Sequence, residues 1–202
     1  PLFPGVFGIF GHGNVACLGQ ALEENQNELP TYRGHHEQNM ALTGIGYARA
    51  KRRQQIFVAT SSVGPGATNM VTAAAVAMSN SLPILFLPGD TYANRMPDPV
   101  LQQVEHFNNP GITANDAFKP VTRYFDRITR PEQIIQSFPA AVQTMLDPAD
   151  CGPACISLSQ DIQGQTFDYP EDFFKEKVHA IRRPRPDEFQ IKEAAEKIKS
   201  SK

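Results

Sequence analysis

Short apolar runs of strand length alternate along this chain with longer segments of helical pattern, an order that confines it to a parallel α/β sheet. Val6–Phe10, Gln55–Thr60 and Pro83–Pro88 read as buried strands, with Thr31–Arg33 a brief one between the first two. Val121–Ile128 and Ala154–Leu158 complete the set. Pro83–Pro88 is almost continuously apolar, as expected of a strand covered by helices on both faces. Between the strands, Glu37–Lys51 carries Met40, Ala41, Gly44, Ile45 and Ala48 at helical spacing, and the alanine-rich run Thr68–Ser79 predicts a close-packing helix. A further helix is expected from Pro131 to about Leu146. Pro131 suits its first turn, whereas Pro139 should kink or break it. The stretch from Gly89 to Asn115 is long, irregular and rich in Pro, Asn, Asp and Gln, and loops of that length are usually functional.

The chain's 202 residues suit one full domain and a fragment of a second. Residues 1–180 read as the domain. Residues 181–202 read as a linker, Ile181-Arg182-Arg183-Pro184-Arg185-Pro186, followed by the truncated start of another domain. Pro1 in place of Met suggests a missing N-terminus. With 21 acidic against 19 basic residues, the balance argues against nucleic acid or a membrane surface as partner. No apolar stretch approaches the ~20 residues that span a bilayer. Cys17, Cys151 and Cys155 are an odd count in no metal-ligand spacing and read as reduced thiols of a cytoplasmic protein.

Three motifs sit at the carboxyl ends of predicted strands, where α/β folds bind ligands. Gly11-x-Gly13-x-x-Ala16 formally matches a dinucleotide fingerprint, with Glu37 placed where a ribose-binding acid is expected, so a non-catalytic Rossmann module is one reading. A glycine turn needed only for packing is another. His35-His36-Glu37-Gln38 does not suit a metal, because adjacent histidines point apart. Its acid can be a plain complement to a helix macrodipole; the more specific reading is a proton donor at a ligand site, its pKa raised by burial. In Thr60–Asn69 the glycines let backbone approach a flat ligand, while Ser62 and Asn69 offer hydrogen bonds. No Gly-Lys-Ser/Thr follows, which excludes a Walker A loop.

Taken together, the first turn, Arg33–Ala41 with Gly46-Tyr47-Ala48-Arg49, and Thr60–Asn69 resemble the pyrimidine-binding domain of thiamine-diphosphate enzymes such as acetolactate synthases, over about Val6 to Asp161. The segments Asp98–Gln103 and Asn115–Ile128, with Phe10-Gly11-His12-Gly13-Asn14, look most like the family's ring-opening hydrolases of inositol breakdown, which convert a cyclic 1,2-dione to 5-deoxyglucuronate. Acetolactate synthases, the alternative within the family, carry a Pro in the first turn that this chain lacks. The resemblance implies a flavodoxin-like three-layer sandwich. It assigns Glu37 to the contact with the aminopyrimidine ring nitrogen that activates the cofactor, and Ser62, Pro65 and Asn69 to the same pocket. The register there is loosened, because Thr60–Gly64 is one residue longer than the synthase pattern. Gln102 or Gln103, and His12 by position alone, face the substrate in this reading. The family's Gly-Asp-Gly motif with its Asn pair, which binds diphosphate and Mg2+, does not occur in the sequence. The resemblance therefore implies a homo-oligomer, dimer or tetramer, in which a partner subunit's diphosphate domain completes the site.

Overall fold

The computed structural model describes residues 1–96 and 100–201. Six parallel strands form one sheet: β1 (Val6–Gly8), β2 (Thr31–Arg33), β3 (Val58–Ser61), β4 (Leu85–Asp90), β5 (Tyr124–Ile128) and β6 (Ala154–Ser159), in the order β2-β1-β3-β4-β6-β5. The direction of strand addition reverses between β1 and β3, so the turns leaving these two strands flank the crevice in which doubly wound folds bind ligands. The helices are α1 (Gln20–Glu24), α2 (Glu37–Ala50), α3 (Pro65–Thr68), α4 (Val71–Ser79), α5 (Ile134–Leu146), α6 (Glu171–Phe174) and α7 (Glu188–Ser200).

Successive strand residues feed opposite cores, which is why the strands read as unbroken apolar runs. Ala59, Phe86 and Cys155 join Met40 and Ile45 of α2 and Ala73, Ala74 and Ala77 of α4 on one face. Val58, Leu85, Ala154 and Ile156 join Leu22 of α1 and Ala141, Val142 and Met145 of α5 on the other. Burial pushes the Cys155 thiol well above its usual range, Asp90 adds to the effect, and burial raises Cys151 as well; both behave as small apolar residues.

Several expectations need correction. β1 ends at Gly8, short of the predicted Phe10; the helical stretch after it, a π-turn over Val15–Gly19 running into α1, ends at Glu24. The predicted helix Thr68–Ser79 is two helices, α3 and α4, parted at Asn69 and Met70. β3 and β4 run to Ser61 and Asp90, beyond the predicted Thr60 and Pro88. The amide of Ile56 pairs with the Leu2 carbonyl instead of joining the ladder as predicted (2.9 Å). Val121 lies in a 3-10 segment, Ala114–Val121, that precedes β5. α5 continues through Pro139, which deprives only the Ile135 carbonyl of its helical partner. α7 buries none of its residues and leaves Phe189, Ile191 and Ile198 exposed.

A buried polar network closes the β4-β6-β5 side. Asp90, 1% exposed, accepts from Arg127 Nε at 2.7 Å and from the Ser157 hydroxyl. Arg127 Nη2 reaches Asp116 at 2.7 Å, and Asn115 Nδ2 donates to Ser157 Oγ and to the Gly89 carbonyl. Burial disfavours the Arg127 charge, but Asp90 and Asp116 more than restore it and raise its pKa. Burial likewise opposes the Asp116 charge, yet the Thr113 amide, Lys119 and Arg127 hold its carboxyl below the usual range. Asp90→Ala strips the half-buried guanidinium of its inner partner. It is expected to destabilise the domain by about 3 kcal/mol, read as a lowered urea midpoint at unchanged slope.

Candidate functional site

The turns leaving β1, β2 and β3 meet at the carboxyl edge of the sheet. Asn14, buried in the first turn, organises the meeting: its Oδ1 accepts the Gly11 amide (3.0 Å), and its Nδ2 donates to the Ile9 carbonyl (3.1 Å) and to Thr60 Oγ1 (3.2 Å). Thr60 passes the chain on, donating to the Leu87 carbonyl of β4 at 2.7 Å. These bonds use up the Gly11 amide that the dinucleotide reading needs for a phosphate, and Gln163 Nε2 caps the Gly13 carbonyl. The turn is a packing device between strands.

Glu37 opens α2, half-buried, after the extended His36. Asn69 Nδ2 donates to its Oε2 at 2.9 Å, while its Oε1 has no hydrogen-bond partner among the described residues. Gly66 of α3 is the floor between them. A Cβ there would run into Ser62 Oγ and stand 3.4 Å from Glu37 Oε1, so the missing side chain leaves both oxygens facing one small space. Gly11 borders the same serine, since its Cβ would lie 3.1 Å from Ser62 Cβ. The structure thus brings together Glu37, Ser62 and Asn69. Pro65 is exposed at the first position of α3 and sets the start of that helix.

The other candidates lie further out. The His12 side chain is exposed, and its carbonyl accepts the Val63 amide at 2.8 Å. Gln102 is exposed with φ 67°, and its carbonyl lies directly over Gly64. Gln103 turns the opposite way, is 2% exposed, and lines a cavity beyond β4. Asp98 and Pro99 of the same sequence motif fall outside the described residues. Sequence reasoning missed Asn14 and Thr60, while it read the Gly66 approach as room for a flat ligand. A polar residue ending an apolar strand is the only signal Thr60 gives, and Asn14 gives none beyond its place in a glycine turn.

Residues 4–109 match the sequence profile described as "Thiamine pyrophosphate enzyme, N-terminal TPP binding domain". The chain belongs to this family. Among curated relatives it is 54% identical over 198 residues, or 98% of its length, to 3D-(3,5/4)-trihydroxycyclohexane-1,2-dione hydrolase of Clostridium tetani. It is 50% identical over all 202 residues to the Bacillus subtilis protein of the same name. The chain spans 31% and 32% of the lengths of these two proteins. Among solved structures, a Rhodococcus jostii RHA1 thiamine diphosphate-dependent 4-hydroxybenzoylformate decarboxylase shares the fold at a TM-score of 0.75 with 18% identity, over 98% of this chain and 34% of that one. Among the described residues, no helix is long and apolar enough to cross a membrane.

Two glycines, one in the turn after β3 and one inside α2, separate shape from flexibility. Gly64 has φ 67°, and a Cβ on it would collide with the Gln102 carbonyl, whereas Gly46 on the exposed side of α2 has nothing within 4 Å. Gly64→Ala is expected to lower stability by about 1–3 kcal/mol, and Gly46→Ala to raise it by roughly 0.5–1 kcal/mol. Paired urea titrations check both signs.

Proposed function

We propose that this chain is the pyrimidine-binding part of a thiamine-diphosphate-dependent hydrolase that opens the ring of a trihydroxycyclohexane-1,2-dione by cleaving a carbon–carbon bond. The convergence of Glu37, Ser62, Gly66 and Asn69 carries this reading, and the names of relatives at 50% identity and above support the substrate.

The residues suit an aminopyrimidine. A flat ring needs a floor without side chains, which Gly66 supplies, and its polar edge needs a carboxyl held at a fixed angle. Asn69 anchors one oxygen of Glu37 and leaves the other free to exchange a proton with a ring nitrogen. Ser62 Oγ, facing the same space, offers a second hydrogen bond, and Pro65 fixes the backbone at the rim. When bound, thiamine diphosphate supplies the nucleophilic carbon that adds to a carbonyl and lets the neighbouring carbon–carbon bond break. The protein's part in this chain is to hold the ring and tune it through Glu37.

The diphosphate and Mg2+ belong, in this reading, to the part of the enzyme that the chain does not span, contributed by a partner subunit of a cytoplasmic dimer or tetramer. Exposed apolar side chains beyond β4 (Met96, Leu101, Val104 and Phe107) supply a surface for such a contact.

Glu37→Gln preserves a hydrogen bond but removes the exchangeable proton. In the full-length holoenzyme it is expected to slow hydrogen–deuterium exchange at cofactor C2 by about 10²–10⁴-fold, followed by NMR; an unchanged rate removes the role from Glu37. The isolated chain is expected to bind thiamine diphosphate with Mg2+ more weakly than micromolar, because the doubly charged end lacks its oxygen ligands and oriented amides. Calorimetric binding tighter than about −8 kcal/mol would contradict this half-site arrangement.

A further inference from the structure

The helices α2 and α4 end at one open cavity, and both are closed in the same way. The Arg53 amide returns to the Ala48 carbonyl (2.8 Å) and the Arg52 amide to the Arg49 carbonyl (3.1 Å). Leu82 and Ser81 repeat the pattern on the carbonyls of Ala77 (3.0 Å) and Met78 (3.3 Å). Each is a Schellman closure, whose turning residue takes positive φ and is usually glycine. Here those residues are Arg52 (φ 53°) and Ser81 (φ 50°), and Arg53 follows at φ 66°. The cavity has a volume of about 410 Å³ and is lined in part by Arg49, Arg52, Arg53, Asn80, Ser81 and Arg183. Among the described residues no acidic side chain lines it, and none of these four arginines forms an ion pair.

Arginine at a helix C-terminus is ordinarily a complement to the dipole and to unpaired carbonyls. That account covers Arg49, in the last turn of α2. It does not cover the other three. The backbone closures already take the carbonyls, and the two helix ends together carry only about one negative charge against four positive ones. Arg183 comes from a distant part of the chain to join three like charges, which repel it. Arg52 meanwhile holds a conformation that glycine would adopt with less strain. Both penalties have a common purpose if the guanidinium groups share an anion. Guanidinium forks grip phosphate oxygens two at a time, so four forks suit two phosphate groups better than one. The volume falls within the ~300–1,000 Å³ of small-molecule sites, and Asn80 and Ser81 add a neutral amide and a hydroxyl beside the charges.

We propose that this cavity binds a small anion carrying two phosphate groups, held by Arg49, Arg52, Arg53 and Arg183. It lies at the opposite end of α2 from Glu37, roughly 18 Å along the helix axis, and the inference does not depend on the reaction proposed above. The test uses the full-length holoenzyme saturated with thiamine diphosphate, so that the cofactor's own diphosphate site is filled. Free Mg2+ and ionic strength are held constant. Calorimetric titrations with inorganic pyrophosphate and with ADP are expected to show saturable binding, one site per chain.

Arg52→Gly is expected to weaken that binding at least tenfold. Its thermal midpoint without the anion should be no lower than that of the wild type, because glycine accepts the same φ, and its turnover without the anion should be unchanged. Arg183→Gln, in the extended segment outside the helices, repeats the test without touching the turn and is expected to weaken binding likewise. Equal affinity for the two probes assigns recognition to the phosphates alone, and tighter binding of ADP adds a nucleoside contact; either supports the site. No saturable binding up to millimolar concentration overturns it, and the arginines then serve the part of the enzyme that the chain does not span. Affinity unchanged in both variants overturns it as well, since the anion would then bind elsewhere.

Discussion

Backbone comes closer at the carboxyl edge of this sheet than any Cβ permits, and the site depends on that constraint. A Cβ on Gly89 would stand 2.6 Å from the Gly13 carbonyl, so the end of β4 and the turn after β1 touch main chain to main chain. Gly64 and the Gln102 carbonyl repeat the arrangement one layer out, and Gly66 clears the space between Ser62 and Glu37. Three contacts of this kind draw segments from distant parts of the sequence into one small volume. Two of these glycines, Gly13 and Gly64, also hold positive φ, where an L side chain would be strained.

Close approach alone would leave buried polar backbone unpaired. Asn14 and Thr60 resolve this by bonding in series from the first turn through β3 to β4, so the strand ends are tied by side chains where the ladder stops. On the other half of the sheet, Asp90 and Arg127 do the same work with charge. Their pair is stable in the interior because Ser157 donates to Asp90, Thr113 and Asp116 accept from Arg127, and Asn115 in turn holds Ser157. The fold is thus closed by two polar networks placed at the edge where ligands bind, with apolar layers behind them.

The alternation of runs and helices made the parallel sheet legible, because strands covered on both faces have no polar side to interrupt them. Element ends were less so. Asp90 extends β4 past the predicted Pro88 because Arg127, 37 residues away along the chain, neutralises it, and nothing local announces that partner. The alanine run concealed a break, since Asn69 leaves the helix to donate to Glu37, a tertiary contact across 32 residues. Glu37, Ser62 and Asn69 were legible as one group only because three motifs kept a family's order; each alone is a polar turn. The glycines of Thr60–Asn69 were legible as room for a flat ligand; that Gly66 in particular clears the space between Ser62 and Glu37 was not, because it depends on where α2 packs.

The two glutamines after β4 show how the same residue type divides between main-chain and side-chain effects. Gln102 contributes its backbone: with φ 67° it turns its carbonyl onto Gly64 and leaves its side chain to solvent. Gln103, one residue on, is buried, with a side-chain amide that has no hydrogen-bond partner among the described residues. A left-handed residue at 102 reverses the chain, which is what sends neighbouring side chains apart. The strain at Gln102 and the unmet amide at Gln103 are therefore two parts of one local design, and both are unfavourable in the isolated domain. Such a pair of penalties in adjacent residues persists because the surrounding contacts over-determine the turn, the Gln102 carbonyl being locked onto Gly64.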